Sequence, residues 1–268
     1  MDTTRVVVDK PSDAITVITM DGPARRNALA GSTMADLGSA VRAAAEDPRV
    51  RAVVVTGAGG FFSAGADLKT AGASSGDGPR GVGAPAERLA IIQDVLDQVH
   101  RMPKPVIAAV EGGAVGVSWS LALACDLTIA GADAYFLAPF TQRGLVPDGG
   151  SAWFLVRAVG PQRAAELLML PDRLPAARAE ALGLVNRVVP TGTALAESLE
   201  LARRLVEGAP DALSLTKRLL AMAERTPSYR DFLDQEWATA ALAMHGPDVI
   251  EGRTAFIEGR APNFKRPQ

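Results

Sequence analysis

The sequence predicts an α/β fold, with a mixed core of strands and helices followed by a helical C-terminal region. Two observations predict it. Up to about residue 190, short β-branched runs alternate with glycine turns and helical segments. From Thr191 onward the strand patterns end and only segments with helical spacing follow. We therefore expect a core over residues 1–195 and a helical region over residues 196–268.

The first elements of the core are a hairpin, a helix and a buried strand. Residues 5–8 and 14–20 are β-branched runs on either side of a Lys-Pro-Ser-Asp turn, which predicts a β-hairpin. A helix follows, with Ser32 available as its N-cap. Its apolar residues recur at helical spacing, namely Met34, Leu37, Val41 and Ala44. Residues 51–56 then form an uninterrupted apolar strand.

The same order of elements returns in the middle of the chain. A strand at 105–110, a helix over 112–125 and a strand at 127–130 predict stacked units of two strands and a helix. The C-terminal helices are expected at 194–206, 212–223, 229–243 and 248–258. Ser228 is placed to cap the third of these helices, and Pro247 to open the fourth.

Composition limits the classes of function. The 268 residues carry a net charge of −2 and 48% hydrophobic residues, which suits one sizeable core and gives no general attraction to nucleic acid or anionic membranes. The single cysteine, Cys125, excludes a disulfide framework. The uncharged run 112–125 is shorter than the roughly 20 residues of a membrane span. We expect a cytoplasmic protein that binds neither membrane nor nucleic acid.

Two glycine turns are candidates for binding a negatively charged oxygen. The glycines at 57 and 59 do not form a dinucleotide-binding turn, because the third glycine of that motif is replaced by Phe62. The turns at 65–67 and 112–117 are each expected to open a helix, where backbone N–H groups lack partners. Together they could stabilise charge that develops on a carbonyl oxygen. Alternatively, the glycines only satisfy the backbone conformation of the turns.

Three segments resemble the enoyl-CoA hydratase/isomerase, or crotonase, superfamily: "RAVVVTGAGGFFSAGADLK", "KPVIAAVEGGAVGVSWSLALACDLTIA" and "EGRTAFIEGRAPNFK". The resemblance starts at "DGPARRNAL" and covers nearly the whole chain. It implies a crotonase-like spiral of ββα units with a helical C-terminal part that mediates trimerisation. It further implies an acyl-CoA thioester substrate, no separate cofactor because coenzyme A is part of the substrate, and a homotrimer or a hexamer built as a dimer of trimers.

The resemblance also implies the residues of the site. The oxyanion hole of the family falls on the backbone N–H groups of Ala66 and Val117. Substrate contacts are implied at Arg25, Arg26, Ala28, Ala64, Asp67, Leu68, Lys69, Gly116, Ser120, Pro139 and Phe140. From the residues alone, each exposed Arg or Lys is better explained by solubility. Asp67 is better explained as an architectural carboxylate at a helix start.

The acid/base residue is expected at Asp148. Hydratases of the family use two glutamates, which the resemblance places at Ser120 and Phe140, and neither residue is a carboxylate. The stretch "GLVPDGGSAW" around Asp148 resembles isomerases of the superfamily, which move a double bond with one acid. Alternatively, Pro-Asp-Gly is ordinary turn chemistry.

Other functions stay open from the sequence. The chain could be a hydratase with non-standard acid/base residues, or an acyl-CoA-binding homologue that has lost activity. RNA binding, known in one branch of the superfamily, is disfavoured by the negative net charge of the chain. His100 and His245 are expected to be structural or surface residues, with no metal site. The glycine-rich segment 71–85 is expected to be a surface insertion or a flap beside Asp67.

Overall fold

The computed structural model describes residues 3–67 and 83–264, and it confirms the predicted α/β class. The main sheet has six strands in the order β1-β2-β3-β4-β6-β9. A second, three-stranded sheet has the order β5-β7-β8. The strands are β1 Arg5–Ser12, β2 Ile15–Asp21, β3 Ala52–Gly57, β4 Val106–Val110, β5 Gly113–Val115, β6 Leu127–Gly131, β7 Tyr135–Leu137, β8 Leu174–Pro175 and β9 Arg187–Val189.

Helices pack around these sheets. In chain order they are α1 Gly31–Glu46, α2 Gly83–Arg101, α3 Val117–Ala124, α4 Ser151–Met169, α5 Ala176–Ala181, α6 Ala194–Glu207, α7 Pro210–Ala223, α8 Tyr229–Met244 and α9 Pro247–Glu258. Helix α4 is interrupted at Gly160, whose φ of 77° lies outside the helical region and precedes Pro161. Within the described residues, no helix is long and apolar enough to cross a membrane.

The central strands of the main sheet are buried on both faces, whereas the edge strand β1 is largely exposed. Strands β1 and β2 form the predicted antiparallel hairpin, and β2, β3, β4, β6 and β9 pair in parallel. Because successive strand residues point to opposite faces, Val53 and Val55 join one apolar cluster while Ala52 and Val54 join another. The first cluster includes residues of α1, α2 and α3, and the second includes Ala194 and Ala202 of α6.

The predicted helix boundaries are mostly confirmed. The four C-terminal helices lie where expected, Ser228 caps α8 by accepting from the amide of Asp231, and Pro247 begins α9. The Ser32 cap is wrong. Helix α1 already begins at Gly31, and its N-cap, Ala30, offers no side-chain acceptor.

The segment predicted as a helix over 112–125 is in fact divided. Residues 113–115 form the short strand β5, and α3 begins at Val117. Gly113, Ala114 and Val115 pair with β7, a contact with a later part of the chain that helical periodicity cannot reveal. The boundary expected near residue 195 stays a prediction.

Candidate active site

Two segments that carry the predicted oxyanion residues run side by side. Ser63 pairs in parallel with Ala114, and the amide of Ser63 donates to the carbonyl of Gly113 at 3.0 Å. The amide of Val115 in turn donates to the Ser63 carbonyl at 3.1 Å. The Ser118 hydroxyl also donates to that carbonyl, at 2.7 Å. These bonds hold the chain before Ala66 against the start of α3.

Glycines make this close approach possible. Gly65 has a φ of +81°, and a Cβ there would collide with the carbonyl oxygen of Val115. Gly116 has a φ of +59° and a ψ of −128°, and it precedes the first residue of α3. Ala66 and Val117 therefore each follow a glycine with positive φ, in two neighbouring segments.

The amides of Ala66 and Val117 are the two candidate donors. No other described residue accepts a hydrogen bond from the N–H of Ala66 or of Val117. Val117 is the first residue of α3, where N–H groups have no partner within the helix. The segment predicted to form a helix after residue 67 lies outside the described residues.

The loop over residues 25–29 clamps the Ala66 segment on its other side. The amide of Ala64 donates to the carbonyl of Arg26 at 2.8 Å, and Leu29 exchanges hydrogen bonds with Gly65 and Asp67 at 2.8 and 2.9 Å. Asn27, with a φ of +54°, is fully buried, and its side-chain amide donates to carbonyls of the 58–62 turn. The loop and the Ala66 segment thus form one hydrogen-bonded unit.

Arg25 and Asp67 form an ion pair within this unit. The Arg25 Nη2 to Asp67 Oδ1 distance is 2.6 Å, and the two side chains are 22% and 4% exposed. The pair joins two predicted contact residues to each other, in keeping with an architectural role for Asp67. A contact between Arg25 and coenzyme A stays a prediction. The pair therefore links the 25–29 loop to the residue that follows Ala66.

The remaining predicted contacts are less defined. Arg26 is exposed, with its guanidinium 5.6 Å from the centroid of the Phe61 ring. Ala28 and Ala64 are half-buried. Leu68, Lys69 and residues 71–82 of the expected flap lie outside the described residues, while residues 83–85 begin α2.

The positions of the two family glutamates are buried and carry no charge. Ser120 is fully buried on α3, and its hydroxyl donates to the backbone carbonyl of Asp148 at 3.0 Å. Phe140 is 6% exposed, and its ring lies beside Gly116, 3.9 Å from where a Cβ would stand. It follows Pro139, which is also buried. The surroundings of the Val117 amide are therefore apolar.

Asp148 lies in a turn that packs against α3. Its neighbour Gly149 has a φ of +59°, and a Cβ there would stand 2.9 Å from Cβ of Ser120. The Asp148 carbonyl also accepts from the hydroxyl of Ser151 at 3.0 Å, where α4 begins. The structure therefore brings Ser120 next to the backbone of the turn that carries Asp148.

The carboxyl group of Asp148 has one oxygen with no partner. Oδ1 is buried and makes no hydrogen bond within the described residues. Burial raises the pKa of this carboxyl above its ordinary value of 3.8, and a hydrogen bond from its own backbone N–H opposes the shift. A half-buried, incompletely satisfied acid with a raised pKa has the properties of a proton-transfer group.

The two histidines and the cysteine lie away from Asp148 in other contacts. His100 stacks edge-on against Trp153 and Phe154, and burial lowers its pKa. His245 is exposed, with its Nδ1 2.7 Å from the carbonyl of Ala241. Burial of the thiol raises the pKa of Cys125, whose residue as a whole is half-buried. Within the described part of the chain, no group of three His, Cys, Asp or Glu residues could hold a metal ion.

Comparison with known proteins identifies the family. The chain matches the enoyl-CoA hydratase/isomerase family over residues 10–267. It belongs to that family. The resemblance inferred from the three sequence segments is thereby confirmed, and the protein is an acyl-CoA enzyme of the hydratase/isomerase type.

Relatives and solved structures agree on this assignment. The enoyl-CoA hydratase EchA19 of Mycobacterium tuberculosis is 36% identical over 93% of this chain and 92% of its own. The 2,3-dehydroadipyl-CoA hydratase of Escherichia coli is 32% identical over 94% and 95%. The crystal structure of an enoyl-CoA hydratase from Polaromonas sp. JS666 is 36% identical with a TM-score of 0.91, covering 97% of this chain and 100% of the other. The crotonase fold is therefore shown.

Proposed function

We propose that this enzyme moves the double bond of a 3-enoyl-CoA to the 2-position, with Asp148 as its single acid/base. One observation supports this most directly. Asp148, whose backbone carbonyl accepts from Ser120, has a buried carboxyl oxygen, Oδ1, without a partner in the described residues, whereas Ser120 and Phe140 supply no carboxylate.

The chemistry needs one group that takes and returns a proton. The Asp148 carboxylate removes a proton from C2, and the electron pair of that bond delocalises into the thioester oxygen and the C3–C4 double bond as a dienolate. The same carboxyl then gives its proton to C4, which leaves the double bond between C2 and C3. Burial raises the pKa of this carboxyl, which makes its carboxylate a stronger base for the first transfer.

The dienolate oxygen would accept from the amides of Ala66 and Val117. Each such donor typically contributes about 3 to 4 kcal/mol to transition-state stability. The apolar ring of Phe140 lies beside Gly116, which lowers the polarity around the neighbouring Val117 donor. The substrate contacts expected along the 25–29 loop and at Lys69 belong to this proposal.

Hydration is the second candidate, because the relatives named above are hydratases by name. A hydratase must deprotonate water and protonate C2. Ser120 is a poor base, since its hydroxyl already donates to the Asp148 carbonyl, and Phe140 cannot exchange a proton. The third candidate is a protein that binds acyl-CoA without converting it, because neither Ser120 nor Phe140 supplies a carboxylate.

We further propose an assembly of three or six subunits in the cytoplasm, with no nucleic acid or membrane partner. Large apolar side chains on the C-terminal helices support an assembly, because a monomer rarely exposes so many together. Trp237, Phe256 and Ile257 are 75%, 87% and 79% exposed. Sedimentation at several protein concentrations tests the subunit number.

The reaction is tested with purified protein and two substrates, a 3-enoyl-CoA and a 2-enoyl-CoA of equal length. We expect conversion of the 3-enoyl-CoA, and a loss of kcat of at least about a hundredfold in Asp148→Asn. Asp172→Asn, at an exposed loop position, is the matched control. Fast hydration that Asp148→Asn leaves unchanged would contradict the assignment, and tight binding without turnover would favour the inactive homologue.

A further inference from the structure

Three donors converge on the backbone carbonyl of Asp148. The hydroxyls of Ser120 and Ser151 each donate to this oxygen at 3.0 Å, and the amide of Ser151 donates to it at 3.2 Å. Both serines are almost fully buried, at 0% and 1% exposure. A carbonyl oxygen has two lone pairs, so it is satisfied before the third donor is counted. Satisfaction of the carbonyl therefore does not explain why both hydroxyls point at it.

The two hydroxyls come from different parts of the fold. Ser151 is the first residue of α4 and follows Asp148 by three residues, so its two bonds close a local turn. Ser120 lies 28 residues before Asp148 in the chain and belongs to α3. The hydroxyl of Ser120 therefore ties the turn to a separate helix, whereas Ser151 only shapes the turn itself.

Helix α3 also carries a proposed oxyanion donor. Val117 is its first residue, and Ser120 follows three residues later on the same face, a rise of about 4.5 Å along the axis. The hydrogen bond from Ser120 thus connects the backbone of the proposed acid to the helix whose first amide would hold the thioester oxygen. In the resemblance to hydratases, the position of Ser120 is that of a glutamate, so a side chain that could act as an acid is replaced by one that holds another acid.

Close packing surrounds this hydrogen bond. A Cβ at Gly149 would stand 2.8 Å from Cδ2 of Leu96 and 2.9 Å from Cβ of Ser120, so the backbone of the turn is held between α2 and α3. The turn therefore has little room to move toward either helix. Loss of the hydrogen bond from Ser120 would leave this packing without the directional contact that sets the place of Asp148 relative to α3.

We propose that Ser120 is a positioning residue, whose hydrogen bond to the Asp148 carbonyl holds the acid at a fixed place relative to the Val117 amide. The inference rests on the proposed isomerisation, in which Asp148 must reach both C2 and C4 of a dienolate bound at that amide. Placement matters steeply for such a transfer, because a displacement of about 1 Å can cost about a hundredfold in rate. Ser120 itself exchanges no proton in this scheme.

Ser120→Ala tests the tie, with Ser151→Ala as the matched variant, because each removes a buried hydroxyl 3.0 Å from the same oxygen. With a 3-enoyl-CoA, we expect Ser120→Ala to lower kcat by about tenfold or more and to leave KM within about twofold. The loss in Ser151→Ala should be several times smaller. Ser120→Cys fills similar space with a weaker donor, so its kcat should fall between those of the wild type and Ser120→Ala. Circular dichroism confirms that each variant folds.

Solvent deuterium gives a readout that a general loss of stability would not move. In D₂O, the proton that Asp148 takes from C2 either passes to C4 or is exchanged for a solvent deuteron, which then passes to C4. A carboxyl group that is less firmly held gives more time and access for this exchange. The fraction of product with deuterium at C4, measured by NMR, should therefore rise in Ser120→Ala and stay near the wild-type value in Ser151→Ala.

Urea unfolding at pH 7 tests the tie without turnover. Asp148→Asn removes a charge from a carboxyl group whose Oδ1 has no partner in the described residues, so it should raise the urea midpoint. If Ser120 holds the carboxyl group there, this gain should shrink in the Ser120→Ala background and persist in the Ser151→Ala background.

The outcomes separate this inference from the proposed reaction. Equal losses of kcat in Ser120→Ala and Ser151→Ala, a Ser120→Cys variant as active as the wild type, or a gain from Asp148→Asn that Ser120→Ala leaves unchanged would overturn the positioning role. A wild type that does not isomerise 3-enoyl-CoA, but in which Ser120→Ala still reduces the gain from Asp148→Asn, would refute the reaction and support the tie.

Discussion

Removing the charge of Asp148 should stabilise the protein while it abolishes activity. The unpartnered Oδ1 places the wild-type carboxylate in a site that does not compensate its desolvation. Asn keeps a polar atom at this place but carries no charge, and an incompletely paired charge costs more to bury than a neutral polar group. For the half-buried Asp148 we take the difference as about 1 kcal/mol, the low end of the cost of an unsatisfied group. We therefore expect Asp148→Asn to raise the free energy of unfolding by about 1 kcal/mol at pH 7, which corresponds to roughly 2 to 4 °C in Tm for a chain of this size.

The pH dependence distinguishes this cause from a general effect of the substitution. The folded-state pKa of Asp148 lies above its ordinary value of 3.8, so folding disfavours the ionised form. The neutral carboxyl carries no such penalty, so the wild type is not destabilised below pH 3.8. Its free energy of unfolding then falls as pH rises above 3.8, and the loss is complete above the folded-state pKa of Asp148. The stabilisation by Asp148→Asn should thus be absent near pH 3.5 and largest near pH 7.

Thermal and urea unfolding at fixed protein concentration, from pH 3.5 to pH 7.5, measures the difference, with Asp172→Asn as the control. The reasoning fails if Asp148→Asn is less stable than the wild type at pH 7, or if the difference between them does not change with pH. A stabilised and inactive variant would show that the site keeps a costly carboxylate for its function.

Two further predictions concern the architecture around the site. Gly65→Ala should lower kcat and reduce the free energy of unfolding by about 2 kcal/mol or more, because it combines positive φ with a collision against Val115. Gly183→Ala is the control, since Gly183 has a φ of +77° and open space around it, so this variant measures the cost of positive φ alone. Equal losses of stability and activity in the two variants would refute the contact argument. Lys217→Met should cost about 2 kcal/mol in urea unfolding, because it removes the partner 2.8 Å from the Asp126 carboxylate, whose pKa burial already raises. That cost should grow from pH 4 to pH 7 as the carboxylate ionises, and a cost independent of pH would contradict the ion-pair explanation.

The sequence contains most of the architecture that positions the site. Continuous apolar runs such as residues 106–110 identify strands buried on both faces, and the C-terminal helices carry clear caps and periodicity. The pairing of the 63–67 and 113–118 segments is not visible locally, because it depends on two chain regions about 50 residues apart. Glycines at 65 and 116 were the only local sign that the backbones approach closely.

Several elements that the sequence does not predict have weak local patterns. Strands β7, β8 and β9 have two or three residues each, too few to show alternation, and they are defined by their partners. Helix α4 contains Gly160 and Pro161, which mask its periodicity. The sequence analysis also does not predict the ion pair between Arg25 and Asp67, although a basic residue in one motif and a carboxylate in the other are compatible with it.

The proposed oxyanion donors belong to the main chain, so no particular side chain is required at residues 66 and 117. Gly65 and Gly116 set the direction of the backbone, and the residues after them can be exchanged without deleting a donor. Substitutions at those two positions can consequently reshape the space for the acyl group while the charge-stabilising element persists. A scaffold of this kind can acquire new substrates one side chain at a time.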